Sequence, residues 1–336
     1  MPQETTRRQF LAHIGAVTAG AAIGGLAVPG CAAEPARRDE KESPPRVVIA
    51  HDDKLTGGKV GEHRELLGKL LDAAMQKLNT AGDAVTAWRQ LFKSNQRIGI
   101  KVNTLGLSTQ PAVVDAIVAG LRRAGVPASN IIIWDRFDVE LAHAGFKLNK
   151  SSSGVQCRGT DAEQIGSGYQ RRVESSGQIG SCFSRIVAEQ IDALISVPVL
   201  KDHNLAGVSL GMKNFYGAIH NPNKYHEDNC DPYIVDVVAH RFIRPKWKLT
   251  VCDATRAQYN AGPGRHPGFA WPFGGLIVSD DFVAADAVAA NLLETQRKAK
   301  GLKSLAEQKR PARYIATAGA RVLGVADLDR IERIEL

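Results

Sequence analysis

Short apolar runs alternate with amphipathic stretches along most of the chain. The runs at 46–51, 97–102 and 131–135 have the length and β-branched content of buried strands. Between them, apolar residues recur every three or four positions, as they do on one face of a helix. The alternation returns later in the chain, where strands are predicted over 193–199, 248–253 and 276–279. Helices are predicted over 62–77, 112–124, 184–190, 232–242 and 282–298.

Strand, helix and strand in this order form a βαβ unit, which predicts parallel strands joined by right-handed crossovers. Residues 147–182 depart from the pattern, because they are rich in Ser and Gly and show neither period. They predict an irregular excursion of short strands and loops. The expected fold class is α/β, a mostly parallel sheet flanked by helices, in a single domain over 46–336.

The first 33 residues differ from the rest. Arg7 and Arg8 precede a weakly apolar, Gly- and Ala-rich run and then small residues, which resembles a twin-arginine export signal. Cys31 lies in a context that resembles a lipoprotein processing site, so a lipid-anchored form and a simply cleaved form both stay open. Residues 34–45 predict a flexible tether. The expected location is the periplasm or envelope, reached through the twin-arginine machinery, with membrane contact only through a lipid anchor.

The chain is basic, with 43 Lys and Arg against 35 Asp and Glu and a net charge of +8. Such an excess favours anionic partners. No basic helix carries base-stacking aromatic residues, so a nucleic-acid partner is not expected. A small anionic ligand is the predicted partner.

Four cysteines follow the predicted signal: Cys157, Cys182, Cys230 and Cys252. An oxidising compartment permits disulfides, and Cys157 and Cys182 bracket the irregular segment that one bridge would pin. Because no two cysteines are separated by only two residues, an iron–sulfur cluster or a zinc ribbon is not expected.

Residues 200–230 hold most of the chemically active side chains. They follow an apolar run at 193–200 that predicts a buried strand, and ligands bind at the carboxyl ends of strands in open α/β sheets. From His203 to Lys213, small residues at alternate positions open backbone amides to an anion, and the lysine supplies a charge or an amine. His203 and Lys213 are the predicted catalytic residues. A strand-capping role for His203 and a solvated helix position for Lys213 stay open.

Polar residues at other strand ends are expected at the same crevice. A lysine in an apolar strand, such as Lys101, is costly unless it is paired or meets an anion. Asp135 and Asp253 also end strands. Each is predicted either to act as a general base or sugar ligand or to cap a helix. The predicted ligand- or cofactor-binding residues are Lys101, Asn103, Lys201, Asp202, Gly207, Ser209, Gly211, Asn214 and Asp253.

Two histidines predict a metal site. His220 and His226 lie too far apart for one helix face, but a loop could bring them to a metal, with Glu227 or Asp228 as an oxygen ligand. The Gly- and Pro-rich segment 261–268 follows a strand end, where its glycines either approach a ligand or only turn a loop.

The chain from about 46 to 320 resembles the family described as domain of unknown function 362. The resemblance rests on Ile100–Asn103, Lys201–His203, Gly211–Gly217, Asp253–Ala254 and Asp280–Asp281. It implies the α/β fold and no settled activity.

A narrower stretch, about 200–226, is similar to nickel-pincer-nucleotide lactate racemases. That resemblance implies that Lys213 carries a covalent cofactor, that His203 is an acid/base and that His220 or His226 binds nickel. The racemases are expected to have a second catalytic histidine in the N-terminal half, and His51, His63 and His143 are not in a matching context. A downstream histidine would be expected near Asn229. An anion or nucleotide pocket without nickel is the other interpretation.

These features predict an exported enzyme that depends on a metal or a tightly bound nucleotide-type cofactor and acts on a small polar or anionic substrate. Its reaction would be that of a racemase or epimerase, or would be linked to redox chemistry. The alternative is a non-catalytic envelope protein that binds an anionic ligand or metal in the same crevice.

Overall fold

The computed structural model describes residues 43–161 and 168–336. The predicted export signal, Cys31 and most of the predicted tether lie outside the described residues. Within these two ranges, no helix is both long and apolar enough to cross a bilayer.

The elements follow the predicted alternation of strands and helices. The strands are β1 (Arg46–His51), β2 (Ile98–Val102), β3 (Ile131–Phe137), β4 (Gln156–Asp161), β5 (Glu174–Ser176), β6 (Ile179–Ser181), β7 (Ala193–Val197), β8 (Val199–His203), β9 (Gly207–Val208), β10 (Trp247–Gln258), β11 (Ala270–Trp271), β12 (Gly275–Ser279) and β13 (Glu332–Glu335). The α-helices are α1 (Arg64–Asn79), α2 (Ala84–Leu91), α3 (Pro111–Arg123), α4 (Asp138–His143), α5 (Tyr233–Ala239), α6 (Phe282–Ala299) and α7 (Arg313–Ala320).

The main sheet has the order β13-β1-β12-β10-β7-β2-β3-β4. Every neighbouring pair from β10 to β4 is parallel, and so is β13 with β1. Within this order of eight strands β12 runs antiparallel to β1 and to β10, and the short strands β9 and β11 pair antiparallel with β8 and β10. The described residues between β10 and β12 form only a 3-10 turn, Pro267–Phe269, and the short strand β11, so the chain returns without a helical crossover and reverses direction. The α/β class and the mostly parallel sheet are confirmed.

Helices cover both faces of the sheet. Val48 and Ala50 pack with α1, α2 and α3, whereas Val47 and Ile49 pack on the other face with α5, α6 and α7. Successive residues of a strand point to opposite faces of the sheet. A strand that is buried on both faces is therefore a continuous apolar run in the sequence. This explains why 46–51 carries no polar alternation.

The strand predicted at 193–199 continues further than expected. β7 ends at Val197, and β8 extends it from Val199 to His203, pairing in parallel with β10. Pro198 has no N–H for the ladder and separates the two segments, although its carbonyl still accepts from Asp253 N at 2.8 Å. Lys201, Asp202 and His203 therefore lie inside the sheet and are buried.

The Ser- and Gly-rich segment is only partly irregular. β4 adds an edge strand beside β3, and β5 and β6 form a separate hairpin. The helix predicted over 184–190 is one π-helical turn at Ile186–Gln190. A bridge between Cys157 and Cys182 is not formed, because all four described cysteines are free thiols.

Candidate functional site

A polar cavity of about 150 Å³ lies where β2 and β3 end and the chain from His203 to His226 packs over them. Carboxyl ends of parallel strands converge at one edge of a sheet, which brings these segments together. The polar residues that line the cavity are Lys101, Asn103, Asp135, Arg136, Glu140, His203, Ser209, Lys213, Asn214, Tyr216, Asn223 and His226.

Lys213 is a buried amine that lines this cavity. It begins the 3-10 helix Lys213–Ala218 and is 7% exposed. Its Nζ lies 3.1 Å from His226 Nε2 and 3.6 Å from the centre of the Tyr216 ring. Burial lowers the pKa of Lys213 from its ordinary value of 10.5 to about 8. Much of the amine is therefore neutral at mildly alkaline pH and has a lone pair for proton abstraction or nucleophilic attack.

His226 is oriented by its own turn. Its Nδ1 lies 3.0 Å from Pro222 O, and only a protonated nitrogen can donate to a carbonyl. Nε2 then carries the lone pair that accepts from Lys213 Nζ. Burial, followed by the charge of Lys213, lowers the pKa of His226 to about 4. His226 is thus a neutral acceptor that positions the amine.

His203 has the opposite tautomer. Its Nδ1 accepts from the backbone N–H of Leu205 at 3.1 Å and of Ala206 at 3.2 Å. The proton of the neutral ring must then sit on Nε2. Burial, with the nearby Lys213 as the next cause, lowers the pKa of His203 to about 2. The predicted acid/base residue is therefore a fixed neutral hydrogen-bond donor, because its lone pair is occupied.

Lys101 is engaged within the protein. Its Nζ donates to Asp135 Oδ1 and Val102 O, both at 2.6 Å, and to Asn214 Oδ1 at 3.2 Å. Asp135 Oδ2 accepts from Thr104 N and Oγ1. Burial lowers the pKa of Lys101, and Asp135 opposes the shift. Three acceptors match the three N–H groups of an ammonium, so Lys101 shapes the cavity wall and is not the predicted anion ligand.

Lys201 and Asp202 hold neighbouring loops. Lys201 Nζ donates to Asn103 Oδ1 at 3.0 Å, Leu105 O at 2.5 Å and Leu107 O at 2.8 Å. Asp202 accepts from Gly262 N at 2.7 Å and pairs with the guanidinium of Arg310 at 2.8 Å. Neither residue lines the cavity, so the structure places both outside the predicted ligand contact.

Backbone amides between His203 and Lys213 were predicted to bind an anion, and two of them bind a carboxylate of the protein itself. Gly211 N and Met212 N donate to the two oxygens of Asp286 at 2.7 and 3.0 Å. Burial raises the pKa of Asp286 to about 7. Gly207 does not line the cavity; its φ is +79°, and a Cβ there would lie 2.5 Å from Arg310 O. Of the three small residues, only Ser209 lines the cavity.

Asp253 is engaged by donors of the protein itself, at the residue before α3 and at Thr255. One oxygen accepts from Gln110 N at 2.7 Å, directly before α3, and the other accepts from Thr255 N and Oγ1. It is buried and does not line the cavity.

The predicted metal pair is not brought together. The ring of His220 packs edge-on against Tyr169, with centroids 5.0 Å apart, and does not line the cavity that contains His226. Across residues 43–161 and 168–336, no group of three or more His, Cys, Asp or Glu side chains could hold a metal ion.

The residues do not fit a nickel-nucleotide cofactor. The Nδ1 lone pair of His203 is taken by two amides and its Nε2 carries a proton, and His220 lies elsewhere. A volume of about 150 Å³ corresponds to roughly five waters at about 30 Å³ each, whereas ligand pockets are typically 300–1,000 Å³. A small metabolite fits this space and a nucleotide does not.

Two charged residues of the cavity, Arg136 and Glu140, were not predicted. Arg136 donates from Nη2 to His220 O at 3.0 Å, and its buried Nε has no hydrogen-bond partner among the described residues. Burial, followed by the charge of Asp135, raises the pKa of Glu140. Both follow the end of β3, so the strand-end argument applied to Asp135 could have been extended to them.

Comparisons with known proteins add a family match. A family model described as domain of unknown function (DUF362) matches residues 91–291. No curated protein matches the chain. A crystal structure of a Thermotoga maritima protein from a structural-genomics programme is similar at a TM-score of 0.44 and 12% identity. The alignment covers 70% of this chain and 59% of that one.

Proposed function

Because the chain belongs to the DUF362 family, whose description names no activity, we propose a function from the cavity itself. The protein is an enzyme that moves a proton at the carbon next to the carboxylate or carbonyl of a small anionic substrate, as a racemase or epimerase does. The observation that carries the proposal is that the Lys213 amine, held by His226, and His203, fixed as an Nε2–H donor, line one cavity of about 150 Å³.

The chemistry of each group follows from its protonation state. The neutral Lys213 amine takes the proton, and the electron pair of the C–H bond moves toward the neighbouring carbonyl carbon. Negative charge then develops on the carbonyl oxygen, where His203 Nε2–H is positioned to donate. Return of the proton from the Lys213 ammonium, or from Glu140 when protonated, restores the carbon. The reaction is redox-neutral, so no oxidant or reductant is required.

Arg136 supports an anionic substrate. Lys101 and Asp135 neutralise each other, which leaves Arg136 and the charged form of Lys213 as the positive groups facing the cavity. A guanidinium offers paired N–H donors that match a carboxylate. We therefore assign Arg136 to binding the substrate carboxylate.

Solvent exchange tests the proposal. The protein is incubated in D₂O with a panel of short α-hydroxy, α-amino and α-keto acids, and loss of the α-proton signal is followed by NMR. Exchange is expected for one class, and Lys213→Met should abolish it because the amine of Lys101, which also lines the cavity, is held by Asp135, Val102 and Asn214. Lys77→Met, an exposed lysine of α1, is the matched control.

Calorimetry on the same panel separates the enzyme from the alternative. If an acid binds but its α-proton never exchanges, the protein is a binding protein and the proposal is wrong. If neither binding nor exchange occurs for any acid, the substrate class is wrong and the proposal fails as well.

Export is the second part of the proposal. Arg7 and Arg8, the apolar run after them and the small residues near Cys31 support an envelope enzyme that folds before translocation. Replacing Arg7 and Arg8 together by Lys should retain the full-length protein in the cytoplasm. The same change at Arg37 and Arg38, in the predicted tether, is the control and should leave export unchanged.

A further inference from the structure

A second and larger cavity lies on the other side of the loop 103–108. Its volume is about 500 Å³, and its lining includes Arg256, Arg265, His143, His266 and Trp271. None of the described residues that line it is acidic. The cavity therefore combines a positive potential with one large flat ring.

Its basic and aromatic groups are held by the hairpin that β10 forms with β11. Ala257 pairs with Trp271 in the ladder, and both Trp271 and Arg256 line the cavity. Gln258 is buried, donates to Gly264 O at 2.8 Å and accepts from His266 N at 2.7 Å. One side chain thus holds the Gly- and Pro-rich segment on both sides of Arg265 and sets the position of that residue.

The guanidinium of Arg265 has N–H donors that can bind a ligand. No hydrogen bond or ion pair involves it within the described part of the chain, and it is exposed in the cavity wall. Arg256 donates from one nitrogen to Gly58 O at 3.0 Å, which positions it and leaves its other N–H groups. Arginine forks match the oxygens of a phosphate group.

We propose that this second cavity binds a phosphate ester that carries a flat aromatic ring, the chemistry of a nucleotide. The ring stacks on Trp271 and the phosphate pairs with Arg265 and Arg256. The volume lies within the range of cofactor and drug-sized sites, unlike that of the smaller cavity.

The two cavities share a thin wall. Gly106 lines the larger cavity and Pro263 lines the smaller one. At Gly106, where φ is +70°, a Cβ would lie 2.2 Å from Pro263 O, so the two backbones are in direct contact. The nucleotide site is distinct from the Lys213 site and does not rest on the function proposed for it.

Calorimetric titration of the full chain with AMP tests the proposal, with adenosine and ribose 5-phosphate as probes that lack the phosphate or the ring. AMP should bind at least about tenfold more tightly than either fragment. Arg265→Gln and Trp271→Leu should each weaken AMP binding by about tenfold or more. Arg330→Gln, at an exposed arginine that lines neither cavity, should leave it unchanged, and so should Lys213→Met.

The proposal is overturned if AMP does not bind at millimolar concentration, or if ribose 5-phosphate binds as tightly as AMP, which would indicate a site for phosphate alone. It is also overturned if neither substitution weakens binding while both variants keep the unfolding transition of the wild type. Loss of binding in Lys213→Met would place AMP in the smaller cavity and would contradict a separate site.

Discussion

Lys213 is predicted to destabilise the fold at neutral pH, because its charged form is buried. Lowering its pKa from 10.5 to about 8, at about 1.36 kcal/mol per factor of ten, means that the ammonium costs roughly 3 kcal/mol of folding free energy at pH 7. Between about pH 8 and pH 10.5 the unfolded chain holds a proton that the folded protein has released. Stability from this group therefore rises with pH across that window.

Lys213→Met removes the cost and keeps a long apolar side chain. The variant loses the hydrogen bond to His226, worth about 1 kcal/mol. The expected net gain is about 2 kcal/mol at pH 7. Above about pH 8 the folded lysine is already neutral, and deprotonating the unfolded lysine costs less as pH approaches 10.5, so the gain should shrink to about 0.5 kcal/mol or less near pH 9.5.

Urea unfolding at both pH values measures the difference, with Lys77→Met as the control. Lys77 is exposed, so its substitution should change the free energy of unfolding by no more than about 0.5 kcal/mol at either pH. A Lys213→Met protein that is less stable than wild type at pH 7 would show that the amine makes net favourable contacts. A gain of equal size at both pH values would show that its titration is not the cause. Either result refutes the reasoning.

Three further substitutions test the packing around the site by urea unfolding. Gly217→Ala should lower stability by about 3 kcal/mol, because a Cβ there would lie 2.8 Å from Asp135 Oδ1 and disturb a buried ion pair. Gly57→Ala, with open space around it, is its control, and equal effects would contradict the prediction. Asp286→Asn should flatten the loss of stability between about pH 4 and pH 7, because a carboxyl with a raised folded pKa loses its contribution as pH rises through that value. Unchanged pH dependence would show that this carboxyl does not titrate there. Arg297→Met should cost about 3 kcal/mol, since its guanidinium donates to four surrounding oxygens. A neutral effect would mean that water replaces those bonds.

The periodicity of the sequence was sufficient for the βαβ half of the fold. β1, β2 and β3 lie within about two residues of their predicted bounds, because strands buried on both faces are uninterrupted apolar runs. A search for apolar runs could not find β8, because its residues Lys201, Asp202 and His203 are polar. A strand can hold such residues when distant segments satisfy them, and neither the loop from Asn103 nor Arg310 could be placed beside β8 from sequence alone.

Cavity residues that follow a strand end could be anticipated from the sequence. Roles that depend on hydrogen-bond partners distant in the sequence could not. Lys213 and His203 lie in one cavity, as expected, but the role of His203 depends on the amides of Leu205 and Ala206, which no spacing rule reveals. Anion binding by backbone amides between His203 and Lys213 was anticipated, although the anion is Asp286 from α6. Identifying that partner requires the packing of α6 against the site.

The pH dependence of α-proton exchange tests the central claim most directly. The rate for the substrate found in the panel is measured by NMR in the wild-type protein across the range from about pH 6 to pH 9.5. If Lys213 is the base, the rate rises with pH and levels off above a midpoint near 8, since the neutral amine is the active form. A rate that is flat through this range, or that falls as pH rises, would contradict proton abstraction by Lys213.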